Sequence, residues 1–348
     1  MEEQKFTILG PSGVGKTSLM ATMYNSIDKL FKNTSMSVMP SVESKTIIND
    51  AVNEMDNALK PNVTFEPVPG GANPLDYVFE IGYGLNPIIK CSFKDFPGGF
   101  MTQFPEKFKE IVEPWIKEST AMIIPVDASL IMRMVKNSNL KVDISRIHEI
   151  TQIENIVSNW AKQRKIQNEK ALLIIVPLRC ETYLHGKTEE DRLKKCVIDL
   201  YQEVIKNLRT NCENSEVYYC PVETYGCVEF QSCRWETDDK GKKIYLPVFA
   251  VNKADPKREP KYSEEVFACL LKHFLEHKYG VDLTEGVFQV IMNFIANKMP
   301  GFLLFGWLKK RKELIDLLCT KNSNADAFIQ DMEKLLDGFK NKKLERLA

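Results

Sequence analysis

The sequence has no excess of either charge: Lys plus Arg and Asp plus Glu each number 47, leaving no net charge at neutral pH. A chain without a net field has no general pull on nucleic acid, so nucleic acid is not an expected partner. Histidine is scarce, at 4 residues, and the 9 cysteines include no Cys-x-x-Cys pair. Structural zinc gathers its cysteines in tight pairs, and Cys212, Cys220, Cys227 and Cys233 are spaced too evenly and too widely for that. His273 and His277, at helical spacing, read as satisfied surface histidines. Scattered cysteines without a signal peptide point to reduced thiols and a cytoplasmic location.

An unbroken apolar run of the length needed to span a bilayer, about 20 residues, is also missing. Val287–Leu308 is apolar, but Asn293, Asn297, Lys298, Pro300 and Gly301 interrupt it. Behind it comes the basic run Lys309–Lys312, and Lys340, Lys342, Lys343 and Arg346 make the tail basic again. The expectation is a helical hairpin packed on the domain, on a protein partner or on a second copy of the chain. The other reading is a peripheral contact with a membrane surface. No internal repeat is visible.

What is present is a hydrophobic fraction of 44%, enough for a sizeable core, and an alternation of strand and helix patterns. Lys5–Leu9 reads as a buried strand and Thr17–Phe31 as a helix. Ser41–Leu59 predicts a polar helix, and the Pro- and Gly-rich stretch Pro61–Pro74 a loop. Tyr77–Ile81 and Ile88–Phe93 predict an antiparallel hairpin. Strands at Ala121–Val126, Ala171–Val176 and Val217–Cys220 alternate with helices at Pro105–Lys117, Ile144–Gln167 and Glu189–Leu208. The expected fold is α/β, a mostly parallel sheet with one antiparallel strand, followed by a C-terminal helical part. The expected divisions are residues 1–232, an irregular linker over 233–262, and a helical region over 263–348, with helices at Ser263–Lys278, Glu285–Asn297 and from about Leu303 to the end.

Between the first strand and first helix lies Gly10-Pro11-Ser12-Gly13-Val14-Gly15-Lys16-Thr17, which fits G-x-x-x-x-G-K-[ST]. Glycines let the backbone turn its N–H groups inward around phosphates, and the following helix offers its positive end to the same anions. The pattern implies a nucleotide-phosphate cradle from Gly10, Ser12, Gly13, Val14, Gly15, Lys16, Thr17 and Ser18. Lys16 would reach the β- and γ-phosphates, and the Thr17 hydroxyl would ligate Mg²⁺. Such a cradle needs an acidic partner at the end of a neighbouring strand, and Asp95 closes the strand that begins near Ile88.

Asp95-Phe96-Pro97-Gly98, Asp-x-x-Gly after an antiparallel second strand, resembles the switch II motif of Ras-like (translation-factor class) GTPases. The resemblance implies that Asp95 holds Mg²⁺ through water and that the Gly98 amide touches the γ-phosphate. It implies a base-reading loop at Pro177–Glu181, where Arg179 stands for the usual Lys and Glu181 for the usual Asp, and a second base loop at Cys220–Thr224. GTP is favoured over ATP on that ordering. A switch I threonine is expected between the first helix and the hairpin, from Thr34, Thr46 or Thr64, with Thr64 closest to the hairpin. The connection between 31 and 77 is far longer than an ordinary one. With Asp-x-Pro-Gly-Gly and the altered base motif, it resembles the divergent bacterial double-GTPase type.

Where the family pattern places a glutamine that orients water, this chain has Gly99, so intrinsic hydrolysis is expected to be slow. Gln103 and Glu106 would need the loop to fold back to reach the water. The expected function is a nucleotide-dependent switch. A P-loop kinase would call for clustered lid arginines, which the sequence lacks, and a non-hydrolysing nucleotide-bound scaffold is the third reading.

Overall fold

The computed structural model describes residues 2–32, 36–60, 64–65, 73–83, 86–102, 105–237, 243–251, 254–279 and 343–347. Its main sheet has 8 strands in the order β11-β8-β7-β6-β1-β5-β4-β2. The strands are β1 (Glu2–Ile8), β2 (Met36–Pro40), β4 (Leu75–Tyr83), β5 (Asn86–Asp95), β6 (Ala121–Asp127), β7 (Ala171–Leu178), β8 (Ser215–Tyr219) and β11 (Glu345–Arg346). A second sheet of 3 strands orders β3 (Thr64–Phe65), β10 (Lys243–Ala250) and β9 (Glu229–Thr237) as β3-β10-β9.

β1 pairs in parallel with β5 on one side and β6 on the other, and β7 and β8 continue the parallel run. β4 lies antiparallel between β5 and β2. This is the mostly parallel α/β sheet expected from the sequence, with its antiparallel hairpin where alternation predicts one. β6 and β7 are buried at every residue, because helices cover both faces of a parallel sheet and leave no wet side.

One face carries α1 (Lys16–Phe31), through Leu19, Met23 and Ile27, and α5 (Ser263–Tyr279), through Phe267, Leu270 and Phe274. The other carries α3 (Ile150–Ile166), through Val157 and Trp160, and α4 (Lys187–Asn211), through Val197, Tyr201 and Val204. α2 (Val42–Ala58) starts at Ser41, whose hydroxyl accepts from the Ser44 amide at 3.2 Å. The far end of α2 enters a third, small core: Met55 and Leu59 meet Tyr225, Cys227, Val228, Phe249 and Val251. An Arg258–Asp56 ion pair of 2.8 Å ties the same end of α2 to the segment after β10. The insertion is thereby joined to the second sheet.

Several expectations are corrected, among them the one for His273, which is buried on α5 rather than at the surface. The segment 233–262 is not an irregular linker: β9 and β10 form an antiparallel ladder over much of it. Helix does not run to the end of the chain, because β11 pairs antiparallel with β8. β2, an edge strand ending in Pro40, has no counterpart in the sequence reading. The boundary at 233 also separates parts that share a core, since α5 packs into the same cluster as α1. Helices expected at Glu285–Asn297 and beyond Leu303, the apolar run Val287–Leu308, the basic run Lys309–Lys312 and Thr34 lie outside the described residues. Among the described residues no helix is long and apolar enough to cross a membrane.

Candidate functional site

Parallel register brings the carboxyl ends of β1, β5, β6 and β7 to one edge of the sheet, the place where open α/β sheets hold ligands. Ile8 stands opposite Asp95, and Asp127 opposite Leu178. The chain leaving β1 turns through Gly10–Gly15 before α1 begins at Lys16. Gly13 and Gly15 have φ of 76° and 104°, left-handed backbone that favours glycine. The first turn of α1 carries no acidic side chain of its own to offset its positive end.

Lys16 is 8% exposed. Its ammonium donates to the carbonyl oxygens of Gly10 at 3.0 Å and Pro11 at 3.1 Å, within the loop itself. Asp95, 6% exposed, faces it: Lys16 Nζ lies 3.7 Å from Oδ1, and the Thr17 hydroxyl donates to Oδ2 at 3.5 Å. Oδ1 has no hydrogen-bond partner among the described residues. Burial pushes the Asp95 carboxyl up to about 6, with Lys16 and Thr17 pulling the other way. Beneath it the buried Tyr77 phenol is raised by the same desolvation. Gly98 presses on the loop so closely that a Cβ there would lie 2.3 Å from the Ser12 nitrogen.

Arg179, at the end of β7, has φ of 61° and is nearly buried. Its guanidinium pairs with the Asp127 carboxylate and donates to the Gly13 carbonyl at 2.8 Å, joining β6, β7 and the glycine loop. Glu181 points elsewhere. Its Oε1 accepts from the amides of Tyr225 at 2.8 Å and Gly226 at 3.3 Å. Burial raises its carboxyl, opposed by those amides. Gly226 has φ of 71°, and a Cβ on it would sit 1.8 Å from the Glu259 carbonyl oxygen.

These parts surround a cleft of about 270 Å³. Of the residues expected from sequence, Ser12, Gly13, Val14, Gly15, Lys16, Thr17, Ser18, Asp95, Gly98 and Arg179 line it, while Gly10 stands behind as a hydrogen-bond acceptor for Lys16. Glu181 is absent from the wall, because its carboxylate is committed to the loop at 225–226. Thr64 is absent too: it sits on β3, paired with Ala250 in the second sheet. Thr46 bonds back to the Val42 carbonyl on α2, and neither it nor Glu106 reaches the cleft. Gln103 lies outside the described residues.

Sequence reasoning missed three parts. One face of α2, at Ala51, Glu54 and Met55, closes one side of the cleft, and Tyr225, which follows the expected loop Cys220–Thr224 whose Thr224 does line the wall, closes another. Asp127 holds Arg179, and a signal for it existed: it ends β6 as Asp95 ends β5.

No protein-family model and no curated protein matches the sequence. Among solved structures, the chain is similar to an ADP-ribosylation factor-like GTP-binding protein, the small COPII coat GTPase SAR1 of Encephalitozoon cuniculi, in complex with GDP. The identity is 12%, 62% of this chain and 68% of that chain are covered, and the TM-score is 0.26. A likeness of that size says nothing about ligand or activity.

Proposed function

We propose that this chain binds a nucleoside triphosphate with Mg²⁺ in the cleft, GTP ahead of ATP, and hydrolyses it slowly as a nucleotide-dependent switch. The observation that carries the reading is the meeting of Lys16, Thr17 and Asp95, with the Thr17 hydroxyl 3.5 Å from one Asp95 oxygen and the ammonium 3.7 Å from the other. A buried carboxylate raised to about 6, with an oxygen lacking a hydrogen-bond partner among the described residues, suits a divalent cation. Thr17 and Asp95 would hold Mg²⁺, which when bound would neutralise phosphate charge.

The chain's own groups divide the remaining work. Loop amides from Ser12 to Thr17 and the first turn of α1 would cradle the β-phosphate. Lys16 would exchange its loop carbonyls for phosphate oxygens, and the Gly98 amide would approach the terminal phosphate. Arg179, held by Asp127, would flank the base, and Glu181 would act indirectly by fixing the loop that carries Tyr225. Preference for GTP rests on the order of the two base-side segments, Arg179 after β7 and Thr224 after β8, both of which line the cleft. The long insertion and Gly99 fit the divergent bacterial double-GTPase type. Nucleotide state would pass to a protein partner or a second copy.

Gly99 has no side chain to orient water, which supports a slow rate. The same observation favours, as second reading, a scaffold that holds nucleotide without turnover. Phosphate release with Mg-GTP and no added acceptor tests the two: steady release supports the switch, and stoichiometric binding with no release supports the scaffold. Release that requires an added acceptor would make the chain a kinase instead.

A further inference from the structure

A continuous line of hydrogen bonds runs from the second sheet to the glycine loop. The Tyr245 hydroxyl on β10 donates to Ser129 Oγ at 3.1 Å, and Ser129 Oγ donates to Asp127 Oδ1 at 2.5 Å. The Leu130 amide donates to the same oxygen at 3.1 Å. The other oxygen of Asp127 pairs with Arg179, which donates to the Gly13 carbonyl at 2.8 Å. Every member is buried: Tyr245 is 9% exposed, Ser129 0%, Asp127 5% and Arg179 7%. The donors converge on Asp127, from Ser129 and Leu130 on one side and Arg179 on the other, and Arg179 donates onward to Gly13; in so buried a line each bond fixes the orientation of the next group.

The line solves a local problem. Arg179 sits in left-handed backbone and must place one planar fork between a carboxylate and a carbonyl from different elements. It can do so only if the Asp127 carboxylate holds its plane. Ser129 and Leu130 fix one oxygen, and Tyr245 fixes the rotor of Ser129. The Tyr245 ring is itself wedged edge-on against Trp235 of β9, with centroids 5.3 Å apart and planes at 63°. Tyr245 therefore reports the position of the β9–β10 hairpin to the loop expected to carry phosphate.

We propose that Tyr245 is a positioning residue for the nucleotide site, acting through Ser129, Asp127 and Arg179 on the Gly13 segment, so that the hairpin's placement sets nucleotide affinity. This deepens the nucleotide-binding reading and rests on it. By linkage, whatever displaces the hairpin changes nucleotide affinity, and nucleotide changes the hairpin in return.

The test is titration of the full chain with Mg-GTP and Mg-ATP by calorimetry, for wild type, Tyr245→Phe, Ser129→Ala and the double variant. Tyr245→Phe keeps the ring against Trp235 and removes only the hydroxyl. One hydrogen bond of ordinary worth gives an expected loss of about 3- to 10-fold in affinity for each single variant. Because both act on one line, the double variant should bind no more weakly than Ser129→Ala alone. Multiplying losses in the double variant would overturn the proposal, and so would Tyr245→Phe affinity equal to wild type, even with a lowered melting temperature. If wild type binds neither nucleotide, the reading of the cleft fails and this proposal goes with it.

Discussion

Gly98 rests against Ser12 with no room for a side chain: a Cβ on Gly98 would lie 2.3 Å from the Ser12 nitrogen and 2.7 Å from the Pro11 carbonyl carbon. Both obstructing atoms are backbone, so neither can swing aside. Gly98→Ala must push the β5 loop off the glycine loop. The expected result is an at least ~10-fold loss of Mg-nucleotide affinity, since each ~1.4 kcal/mol is tenfold, with the circular dichroism spectrum unchanged. Wild-type affinity in a folded Gly98→Ala chain would show that the contact has no part in binding.

Arg179 and Asp127 are a buried pair, and breaking one partner differs from weakening it. Arg179→Ala leaves a buried carboxylate uncompensated and should destabilise the chain by about 3–5 kcal/mol. Arg179→Lys keeps the charge but loses the fork that serves Asp127 and Gly13 together. It should cost less stability while still lowering nucleotide affinity. Urea denaturation and nucleotide titration of both variants check this, and equal destabilisation by the two would argue against the fork.

The pH response contains two opposing groups. Asp95 titrates near 6 in the fold against an ordinary 3.8, so the folded chain holds its proton more tightly. Its contribution to stability falls as pH rises from about 4 to 6 and is flat above, by about 3 kcal/mol in all. His148, buried and lowered to about 4 from 6.5 by desolvation, does the reverse, gaining stability as pH rises over the same window. The two nearly cancel in wild type. Asp95→Asn removes the falling arm, so its stability relative to wild type should climb between pH 4 and 6 in urea titrations. A difference that does not vary with pH would mean that Asp95 is not raised.

Gly226 holds φ of 71° with the Glu259 carbonyl 1.8 Å from where a Cβ would sit. Gly226→Ala carries left-handed strain of about 1–3 kcal/mol and forces apart the loop that Glu181 pins. Lower stability together with weaker base selectivity is expected, read from denaturation midpoints and from GTP-to-ATP affinity ratios. A loss of less than ~0.5 kcal/mol would show that the loop simply relaxes.

The proposed phosphate end of the site is readable from sequence because its requirements are local. Glycines at 13 and 15, Lys16 and Thr17 must sit between a strand and a helix, and Asp95 must end a neighbouring strand. The base end is not readable in that way. Glu181 follows β7 where a base-reading carboxylate belongs, yet its oxygen is taken by amides 44 and 45 residues further along the chain, a contact with no trace in any short pattern. β9 escaped for a related reason. Phe230, Cys233 and Trp235 are half-buried while Glu229, Gln231, Ser232, Arg234, Glu236 and Thr237 face water, and the irregularity at Val248/Phe249 breaks the alternation. A polar, broken pattern reads as loop until its partner strand is known. β11, two residues long, carries no periodicity at all.

Lys16, Thr17 and Asp95 are proposed to form a magnesium–triphosphate site. The most direct measurement is calorimetric titration of wild type and Lys16→Ala with GTP, with and without Mg²⁺. Wild type should bind one-to-one and only with magnesium, and a folded Lys16→Ala chain should show no detectable binding. Tight binding retained by Lys16→Ala, or no binding of GTP or ATP to wild type with Mg²⁺ present, would contradict the proposed site.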